Sequence, residues 1–215
     1  MITTVTLGQG ALRMAKQKVI VKHLESIQNF GSIDTLCSDK TGTLTSGETK
    51  LEGYFDLSGK DADRVLLFGS LNSTYQTGIK SPLDEAILQH GPLDGGGYRK
   101  IGEIPFDFER RCLSVALRYE EECLLITKGA PESVLALCTA YESDGERKPL
   151  DDVNGEVRKK YVNRYRDLSS QGYRVLAVAY RTLPQQDVYH KTDEQDLILL
   201  GFLTYFALCK QVSRC

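Results

Sequence analysis

The segment Ser38-Asp39-Lys40-Thr41-Gly42-Thr43-Leu44-Thr45 decides how the rest of the chain is interpreted. It follows Ile33-Asp34-Thr35-Leu36-Cys37, a short and partly apolar stretch that predicts a buried strand. An aspartate at the carboxyl end of a strand, followed by a glycine loop, lies where open α/β sheets bind their ligands. Gly42 permits a tight loop, and the threonine hydroxyls and backbone N–H groups of that loop suit phosphate oxygens. The segment therefore predicts a phosphate site, with the carboxylate of Asp39 placed to attack phosphorus.

The composition limits the classes of protein that fit. The chain has 215 residues, of which 26% are charged and 41% hydrophobic, with a formal net charge of −2. These values are ordinary for a soluble globular protein of one or two domains, and they give no reason to expect nucleic acid as a partner. The six cysteines form no CxxC pair, so most of them are predicted to be small core residues. The best apolar stretch, residues 197–208, is shorter than the roughly 20 residues that a membrane-spanning helix needs.

The hydrophobic pattern predicts helices alternating with strands. Strands are expected as a hairpin with an acidic three-residue tip, at 113–119 and 123–128, and then at 173–180 and 197–206. Residues 143–149 are expected to form an exposed loop. Ser81 is the predicted N-cap of one helix, with Pro82 in its first turn. The predicted helices cover residues 61–71, 81–90, 131–138 and 157–168.

The string from Asp39 to Thr45, DKTGTLT, resembles the phosphorylation signature of the P-type ATPases. The resemblance implies that Asp39 accepts a phosphoryl group from ATP and that Lys40, Thr41 and Thr43 complete the catalytic loop. It also implies that Asp39 and the carbonyl of Thr41 are two of the ligands of a Mg²⁺ ion.

The segment Lys128-Gly129-Ala130-Pro131-Glu132 resembles the KGAPE motif of the nucleotide-binding domain in the same family. The motif implies that the Lys128 cation enters the nucleotide pocket and that Gly129 lets backbone or ligand approach closely. Arg174 resembles the family's late arginine that helps to hold the nucleotide. Because its neighbours are apolar, Arg174 is expected to have an anion partner or a position at the rim.

The run from Phe106 to Ser114 resembles the segment in which a phenylalanine stacks on adenine and a basic residue reaches the phosphates. Phe106 and Arg111 are the residues implied here, since a flat apolar ring suits a base and a guanidinium suits phosphate. Phe108 is the alternative stacking residue, and one of the two phenylalanines is expected in the core. Relatives often carry an acid that contacts adenine just before the helix at 81–88. Lys80, Ser81 and Pro82 stand there, while Asp84 and Glu85 are expected to be cap and surface residues.

The resemblance implies a fold in three parts. Residues 1–45 correspond to a stalk end and to the first strand and loop of a phosphorylation domain. Residues 46–198 correspond to the nucleotide-binding domain, and residues 199–215 to the return toward the phosphorylation domain and a divergent tail. The expected fold is an α+β nucleotide-binding domain, with an antiparallel sheet flanked by helices. It is inserted after the first strand of an incomplete α/β haloacid-dehalogenase-like domain.

The implied function is the cytoplasmic ATP-binding and phosphorylation-site region of a cation-transporting ATPase, most similar to the magnesium-transporting members. The parent protein would span the cell membrane several times, and its remaining parts and the transported Mg²⁺ would be the partners. The family's TGD or TGE loop and its GDGVND-type loop do not occur in this sequence. We therefore expect the chain to be a fragment or frameshifted product that binds nucleotide without forming a stable aspartyl phosphate.

Other interpretations stay open at this point. The chain is alternatively a truncated, non-catalytic ATP-binding module, or a fragment of a proton or calcium pump. A haloacid-dehalogenase-type phosphatase is a further alternative. Such phosphatases usually carry a second aspartate two residues after the nucleophile, where this chain has Thr41, and that difference favours a long-lived phosphoenzyme.

Overall fold

The computed structural model describes residues 2–35, 37, 45–78, 80–90, 96–151 and 155–209. They divide into two compact units, Met1–Leu44 and Thr45–Cys215. In the first unit, helix α1 spans Ile2–Lys16, the short helix α2 spans Ser26–Asn29, and a 3₁₀ turn spans Phe30–Ser32. None of the described helices has the length and hydropathy that a bilayer crossing requires.

The strand predicted at Ile33–Cys37 is absent from the residues that the structure describes there. Ile33, Asp34, Thr35 and Cys37 are exposed and belong to no strand, so the prediction is wrong for them. A strand needs a neighbouring strand for its backbone N–H and C=O groups. No described residue of the first unit lies in a strand, and none whose burial is assigned is buried.

The second unit is built on a sheet that has eight strands within the described residues. The order across the sheet is β2-β3-β4-β7-β8-β5-β6, and β1 pairs with the later part of β8. Every pairing is antiparallel except β5 with β8, so the expected antiparallel sheet is in fact mixed. A parallel neighbour needs a long connection, which the residues between β5 and β8 provide. The strands are β1 Thr45–Asp56, β2 Arg99–Asp107, β3 Cys112–Tyr119, β4 Glu122–Gly129, β5 Cys138–Ser143, β6 Glu146–Pro149, β7 Arg174–Leu183 and β8 Leu197–Cys209.

Two hairpins show how turn chemistry sets the register. The predicted β3–β4 hairpin is confirmed, but Tyr119 pairs with Glu122, so its tip has two residues rather than three. Residues 143–149, predicted as a loop, form the turn and the second strand of the β5–β6 hairpin. Its turn is Asp144-Gly145, with φ of 52° and 80°. Positive φ at both central residues is typical of a two-residue hairpin turn, and Asp-Gly is a sequence signal for it.

Four helices cover the two faces of the sheet: α3 Asp63–Tyr75, α4 Pro82–Gln89, α5 Pro131–Ala136 and α6 Glu156–Ser170. Helices α3 and α4 bury apolar side chains against β3, β4, β7 and β8, which defines the α3/α4 face. Helices α5 and α6 do the same on the other side, the α5/α6 face. Alternation along a strand sends neighbours to opposite faces, so Val178 of β7 belongs to the first core and Ala177 and Ala179 to the second.

The predicted helices are confirmed, and local signals explain their ends. Ser81 accepts from the backbone N–H of Asp84, and the Asp84 carboxylate accepts from the Ser81 N–H. This reciprocal capping box fixes the start of α4, with Pro82 at its first position. Helix α3 begins one residue later than predicted, with Ala62 rather than Asp61 at the N-cap position.

Candidate nucleotide-binding site

The residues predicted to contact nucleotide in the second unit meet at one end of the sheet. Strand β2 ends at Asp107 and β3 begins at Cys112, and these two residues pair across the turn between them. Strand β4 ends at Gly129, which pairs with Cys112 on one side and with Ala177 of β7 on the other. Because antiparallel neighbours reverse direction, residues 105–111 (the 105–111 turn), the end of β4 and the start of β7 at Arg174 share this end.

Both phenylalanines of the 105–111 turn are exposed. Phe106 is 51% exposed and Phe108 is 88% exposed, with their rings perpendicular and their centroids 5.3 Å apart. The expectation that one of them lies in the core is therefore wrong. The register of β2 against β3 shifts between Ile104 and Asp107, so Phe106 does not follow the buried Ile104 into the core as strict alternation would require. The turn instead offers aromatic faces to solvent.

Arg111 closes the turn in an unusual backbone conformation. Its φ is 52°, a left-handed value that few non-glycine residues adopt. Its N–H donates to the carbonyl of Asp107 at 2.6 Å, and its carbonyl accepts from the N–H of Ala130 at 2.9 Å. The Arg111 residue itself is exposed, so its guanidinium is available to a ligand at the end of the sheet.

Gly129 makes this backbone contact possible. A Cβ atom at Gly129 would lie 2.5 Å from the carbonyl oxygen of Arg111 and 2.4 Å from the Cβ of Cys112. Both distances are too short for real atoms, and the first involves backbone that cannot rotate away. The motif implies that Gly129 lets backbone approach closely. The backbone that approaches Gly129 in this structure is that of Arg111.

Lys128 is buried on the α3/α4 face, where it has a charged partner. Its Nζ donates to Oδ1 of Asp84 at 2.5 Å and also to Oγ of Ser73. Ser73 in turn donates to the same carboxylate oxygen at 2.9 Å, while Ser81 Oγ donates to Oδ2 at 2.7 Å. Helices α3 and α4 therefore supply the groups that hold the buried ammonium.

The electrostatics of this pair agree with its geometry. Burial by itself raises the pKa of Asp84, but the positive charge of Lys128 and hydrogen bonds from Lys128 and Ser81 outweigh it and hold that pKa well below its usual range. Burial lowers the pKa of Lys128, and the Asp84 carboxylate opposes that shift. Asp84 consequently stays ionised at neutral pH and supplies the counter-charge that a buried ammonium requires.

The pairing of Asp84 with Lys128 was missed by sequence reasoning. The predicted capping role of Asp84 is confirmed, and Glu85 is exposed as expected. The available signal was Lys128 itself, because a lysine in an apolar strand needs an acidic partner. Asp84 lies on the buried side of α4 with Ala86 and Ile87, and this position made it the better of the two candidates.

Arg174 has the rim position that its apolar neighbours required. It is exposed at the first residue of β7, opposite Tyr205 of β8. Val178 of β7 pairs with Lys128, and residues 174 and 178 fall on the same face of their strand because they are an even number of positions apart. At about 3.3 Å per residue, Arg174 and Lys128 lie roughly 13 Å apart along the α3/α4 face. Tyr205 is buried nearby, and its hydroxyl has no hydrogen-bond partner among the described residues.

The predicted catalytic and metal-binding residues Asp39, Lys40, Thr41 and Thr43 lie outside the described residues. Within the described ranges, no group of three or more His, Cys, Asp or Glu side chains is arranged to hold a metal ion. Three of the cysteines, Cys112, Cys123 and Cys138, are buried free thiols as predicted, and Cys37 is exposed.

Comparison with known proteins identifies the protein family to which this chain belongs. The family model for the P-type ATPase cytoplasmic domain N matches residues 96–205, just over half of the chain. The chain therefore belongs to the P-type ATPase family. The match favours this assignment over the haloacid-dehalogenase-type phosphatase.

Individual relatives agree with the family assignment. The magnesium-transporting ATPase, P-type 1, of Escherichia coli strain K12 is 47% identical over 99% of this chain and 24% of its own length. The protein of the same name from Salmonella typhimurium strain LT2 is 46% identical over the same shares. A calcium-transporting ATPase of Listeria monocytogenes is 30% identical over 93% of this chain and 25% of its own length. The chain thus spans about a quarter of the length of these relatives.

Proposed function

We propose that the second unit binds ATP at the end of the sheet that carries the 105–111 turn, Lys128 and Arg174. One observation carries the proposal: separate segments bring an exposed phenylalanine and three basic residues to this end. In the proposed complex Phe106 stacks on the adenine, because a flat apolar ring suits a flat base. Arg111 and Arg174 contact the phosphates, for which the planar guanidinium is suited.

Lys128 has a different role from the two arginines. Asp84 and Ser73 take two of its three N–H groups, which leaves one donor for a ligand. Its charge is already balanced by Asp84, so it contributes a positioned hydrogen bond rather than an additional net charge. Gly129 serves the site by allowing the Arg111 backbone to pass close to β4.

We further infer that Asp39 is the phosphoryl acceptor of the whole protein. A carboxylate oxygen of Asp39 forms a bond to the γ-phosphorus while the bond from that phosphorus to the leaving oxygen of ADP breaks. Lys40 and Thr43 contact the transferred group, and Asp39 with the Thr41 carbonyl suits Mg²⁺, which prefers oxygen ligands. The resemblance of residues 39–45 to the family signature supports this step, together with the haloacid-dehalogenase-like domain it implies.

The relatives support a role in cation transport. Two of them are named as magnesium-transporting ATPases, which favours Mg²⁺ as the transported ion over Ca²⁺. The second unit then lies on the cytoplasmic side of the cell membrane, and the rest of the pump is its partner. A second candidate, a non-catalytic ATP-binding module, keeps the same site and lacks only the transfer to Asp39.

Isothermal titration of the chain with ATP tests the binding site. Phe106→Ala is expected to weaken binding about tenfold or more, because base–aromatic stacking contributes roughly 1–3 kcal/mol. Phe108→Ala is the matched control, since it removes the same ring from the same turn, and it should leave the dissociation constant within about twofold. Failure of the unmodified chain to bind ATP, or equal effects of the two substitutions, would refute the site.

A second titration tests the phosphate contact. Arg111→Ala should weaken binding of ATP but not of adenosine, because only ATP carries the phosphates that the guanidinium contacts. Arg118→Ala is its control, since Arg118 lies near the opposite end of β3. Equal losses for ATP and adenosine would assign Arg111 to the turn rather than to the phosphates.

Radiolabelled ATP separates the two candidate functions. The chain is incubated with γ-labelled ATP and Mg²⁺, and the label is tested for release by hydroxylamine, which cleaves acyl phosphates. Labelling that disappears in Asp39→Asn supports phosphoryl transfer. ATP binding without any label supports the non-catalytic module.

A further inference from the structure

Residues 191–194 (the 191–194 segment) contact the 105–111 turn through two ion pairs. The segment consists of a 3₁₀ helix, Lys191–Asp193, followed by Glu194. The Glu194 carboxylate pairs with the guanidinium of Arg110, and the Lys191 ammonium pairs with the carboxylate of Asp107. Both partners on the turn lie between Phe106 and Arg111, the two residues to which the proposed function assigns the base and the phosphates.

Glu194 is held from its other side by the interior of the sheet. It is only 2% exposed, although it is a carboxylate. Its Oε1 accepts from Oγ of Ser114 at 2.6 Å, and that hydroxyl shares a hydrogen bond of 2.7 Å with Oγ1 of Thr127. One carboxylate oxygen of Glu194 is therefore hydrogen-bonded to the side chains of β3 and β4, and the other pairs with the turn.

Arg110 transmits this constraint to the turn. Its Nη2 donates to the carbonyl of Pro105 at 2.7 Å, and its Nε lies 3.6 Å from Oδ2 of Asp107. A single guanidinium thus ties the first residue of the turn to Glu194. The hydrogen bond from Lys191 is the largest of the effects that lower the pKa of the Asp107 carboxyl to about 2. The ion pair between Lys191 and Asp107 is therefore charged throughout the neutral range.

We propose that Glu194 is a positioning residue for nucleotide binding, which together with Lys191 holds the 105–111 turn, through Arg110 and Asp107, in the conformation that presents Phe106 and Arg111. The inference rests on the proposed function, since it assumes that this turn contacts the nucleotide. A buried ion pair adds little net stability compared with apolar packing, so stability alone does not explain why the Glu194–Arg110 pair lies next to this turn. The left-handed backbone of Arg111 is unfavourable and must be imposed by the surrounding contacts. A turn that is already ordered loses less conformational entropy when it binds a ligand.

Glu194→Gln tests the inference, with Glu142→Gln as its matched control. Glu142 is also a buried carboxylate, at 8% exposed, and it has one arginine partner, Arg64, and one hydroxyl donor, Tyr180 at 2.6 Å. Glu142 does not contact the 105–111 turn. The two substitutions make the same chemical change in similar surroundings, so stability losses should be comparable. Only Glu194→Gln should weaken ATP binding, by about tenfold, because loss of pre-organisation appears directly in affinity.

Coupling to Phe106 distinguishes positioning from general destabilisation. If Glu194 acts through the turn, Glu194→Gln combined with Phe106→Ala should weaken binding by no more than about 30-fold, well below the roughly 100-fold product of two tenfold effects. A product of independent effects would overturn the inference. So would equal changes in ATP affinity for Glu194→Gln and Glu142→Gln.

Lys191→Met keeps the test decisive if Glu194→Gln fails to fold. Lys191 is exposed, so its replacement leaves the interior intact while breaking the tie to Asp107. We expect a loss of about threefold in ATP affinity that is likewise coupled to Phe106→Ala, and an unchanged affinity would overturn the inference. Binding by the unmodified chain separates the two proposals: its absence refutes the proposed function, whereas binding that is insensitive to these variants refutes only the role of Glu194.

Discussion

The two faces of the sheet differ in the polar and charged side chains that they bury. The α3/α4 face contains a buried ion pair, Lys128 with Asp84, beside a core of apolar side chains. Asn72 is buried on the same face, where its amide donates to the carbonyls of Leu113 and Ile126 at 3.2 and 2.9 Å. Protein groups therefore satisfy this ion pair and the Asn72 amide nitrogen, whereas the Asn72 side-chain oxygen and the Tyr205 hydroxyl have no hydrogen-bond partner among the described residues.

The core under α5 and α6 contains no charged residue among the described residues. It consists of apolar residues, tyrosines and two buried thiols, Cys112 and Cys138. The buried ion pair on this side of the sheet, Glu194 with Arg110, lies at the end of the sheet, where Arg110 Nη1 is 3.5 Å from the thiol of Cys112. A second cation, Arg158, stays at the rim of this core, where it pairs with the exposed carboxylate of Asp151. Since apolar packing stabilises a core at least as well as a buried ion pair, the pair on the α3/α4 face is better explained by binding than by folding.

The largest expected effect comes from breaking the buried pair. Lys128→Met should lower the free energy of unfolding by about 3–5 kcal/mol, because it leaves the Asp84 carboxylate buried without a counter-charge. Urea denaturation followed by circular dichroism measures this loss. Adding Asp84→Asn to the same chain removes the uncompensated charge and keeps a capping side chain on α4, so most of the stability should return.

The double variant separates folding from binding on the α3/α4 face. It is expected to fold and to bind ATP poorly, because the positioned ammonium is gone. If Lys128→Met were as stable as the unmodified chain, the pair would not be buried in solution as the structure shows it. If the double variant bound ATP normally, Lys128 would have no part in the site.

Shortening a core side chain on the α5/α6 face should reduce stability without reducing ATP affinity. Leu150 is fully buried in that core, so Leu150→Ala should cost about 2–4 kcal/mol through the cavity it leaves. The dissociation constant for ATP, measured by titration below the temperature of unfolding, should not change. A matching loss of ATP affinity would show that the site depends on both faces, and the contrast drawn between them would then fail.

Acid should weaken the Lys128–Asp84 ion pair on the α3/α4 face. Because the folded-state pKa of Asp84 is held below its usual value by Lys128 and Ser81, the unfolded chain binds this proton more readily than the folded one. The stabilisation is complete above the unfolded-state pKa, about 4, and is lost progressively as the pH falls below it. The stability advantage of the unmodified chain over the Lys128→Met, Asp84→Asn variant should therefore shrink below about pH 4. A constant difference would contradict the shift.

Local sequence signals were enough to predict the elements that face a core. Helices α3 to α6 follow from apolar spacing, from Ser81 and Pro82 at the start of α4, and from Pro131 at the start of α5. The four strands that were not predicted, β1, β2, β5 and β6, have weak apolar patterns. Strand β6 is exposed along its whole length, β1 and β2 contain glycines and charged residues, and strands at an edge need no apolar alternation.

For the candidate site, too, local sequence signals predict some features, whereas others depend on contacts between distant residues. Motifs singled out Phe106, Arg111, Lys128 and Arg174 because each belongs to a short contiguous signature, and their contact with nucleotide stays a prediction. The contacts that hold these residues join positions far apart in sequence, such as Lys128 with Asp84 and Arg110 with Glu194. No spacing rule connects such pairs, since the order of strands in the sheet brings them together.

The smallest effect is expected at Arg158, the rim cation of the α5/α6 face. Its Nη1 and Nη2 donate to the carbonyls of Leu135 and Cys138 at 2.8 and 3.0 Å, at the end of α5 and the start of β5. Its ion pair with Asp151 is exposed, and such pairs contribute about 0–1 kcal/mol. We therefore expect Arg158→Ala to cost about 1 kcal/mol, mainly through the two carbonyls that lose a donor.

Asp151→Asn tells these two contributions of Arg158 apart. It removes the exposed charge and leaves the carbonyl contacts in place, so urea denaturation should show a change below about 0.5 kcal/mol. A loss as large as that of Arg158→Ala would mean that the ion pair itself stabilises this face. The two faces would then differ in where their charges lie but not in how much each face depends on them.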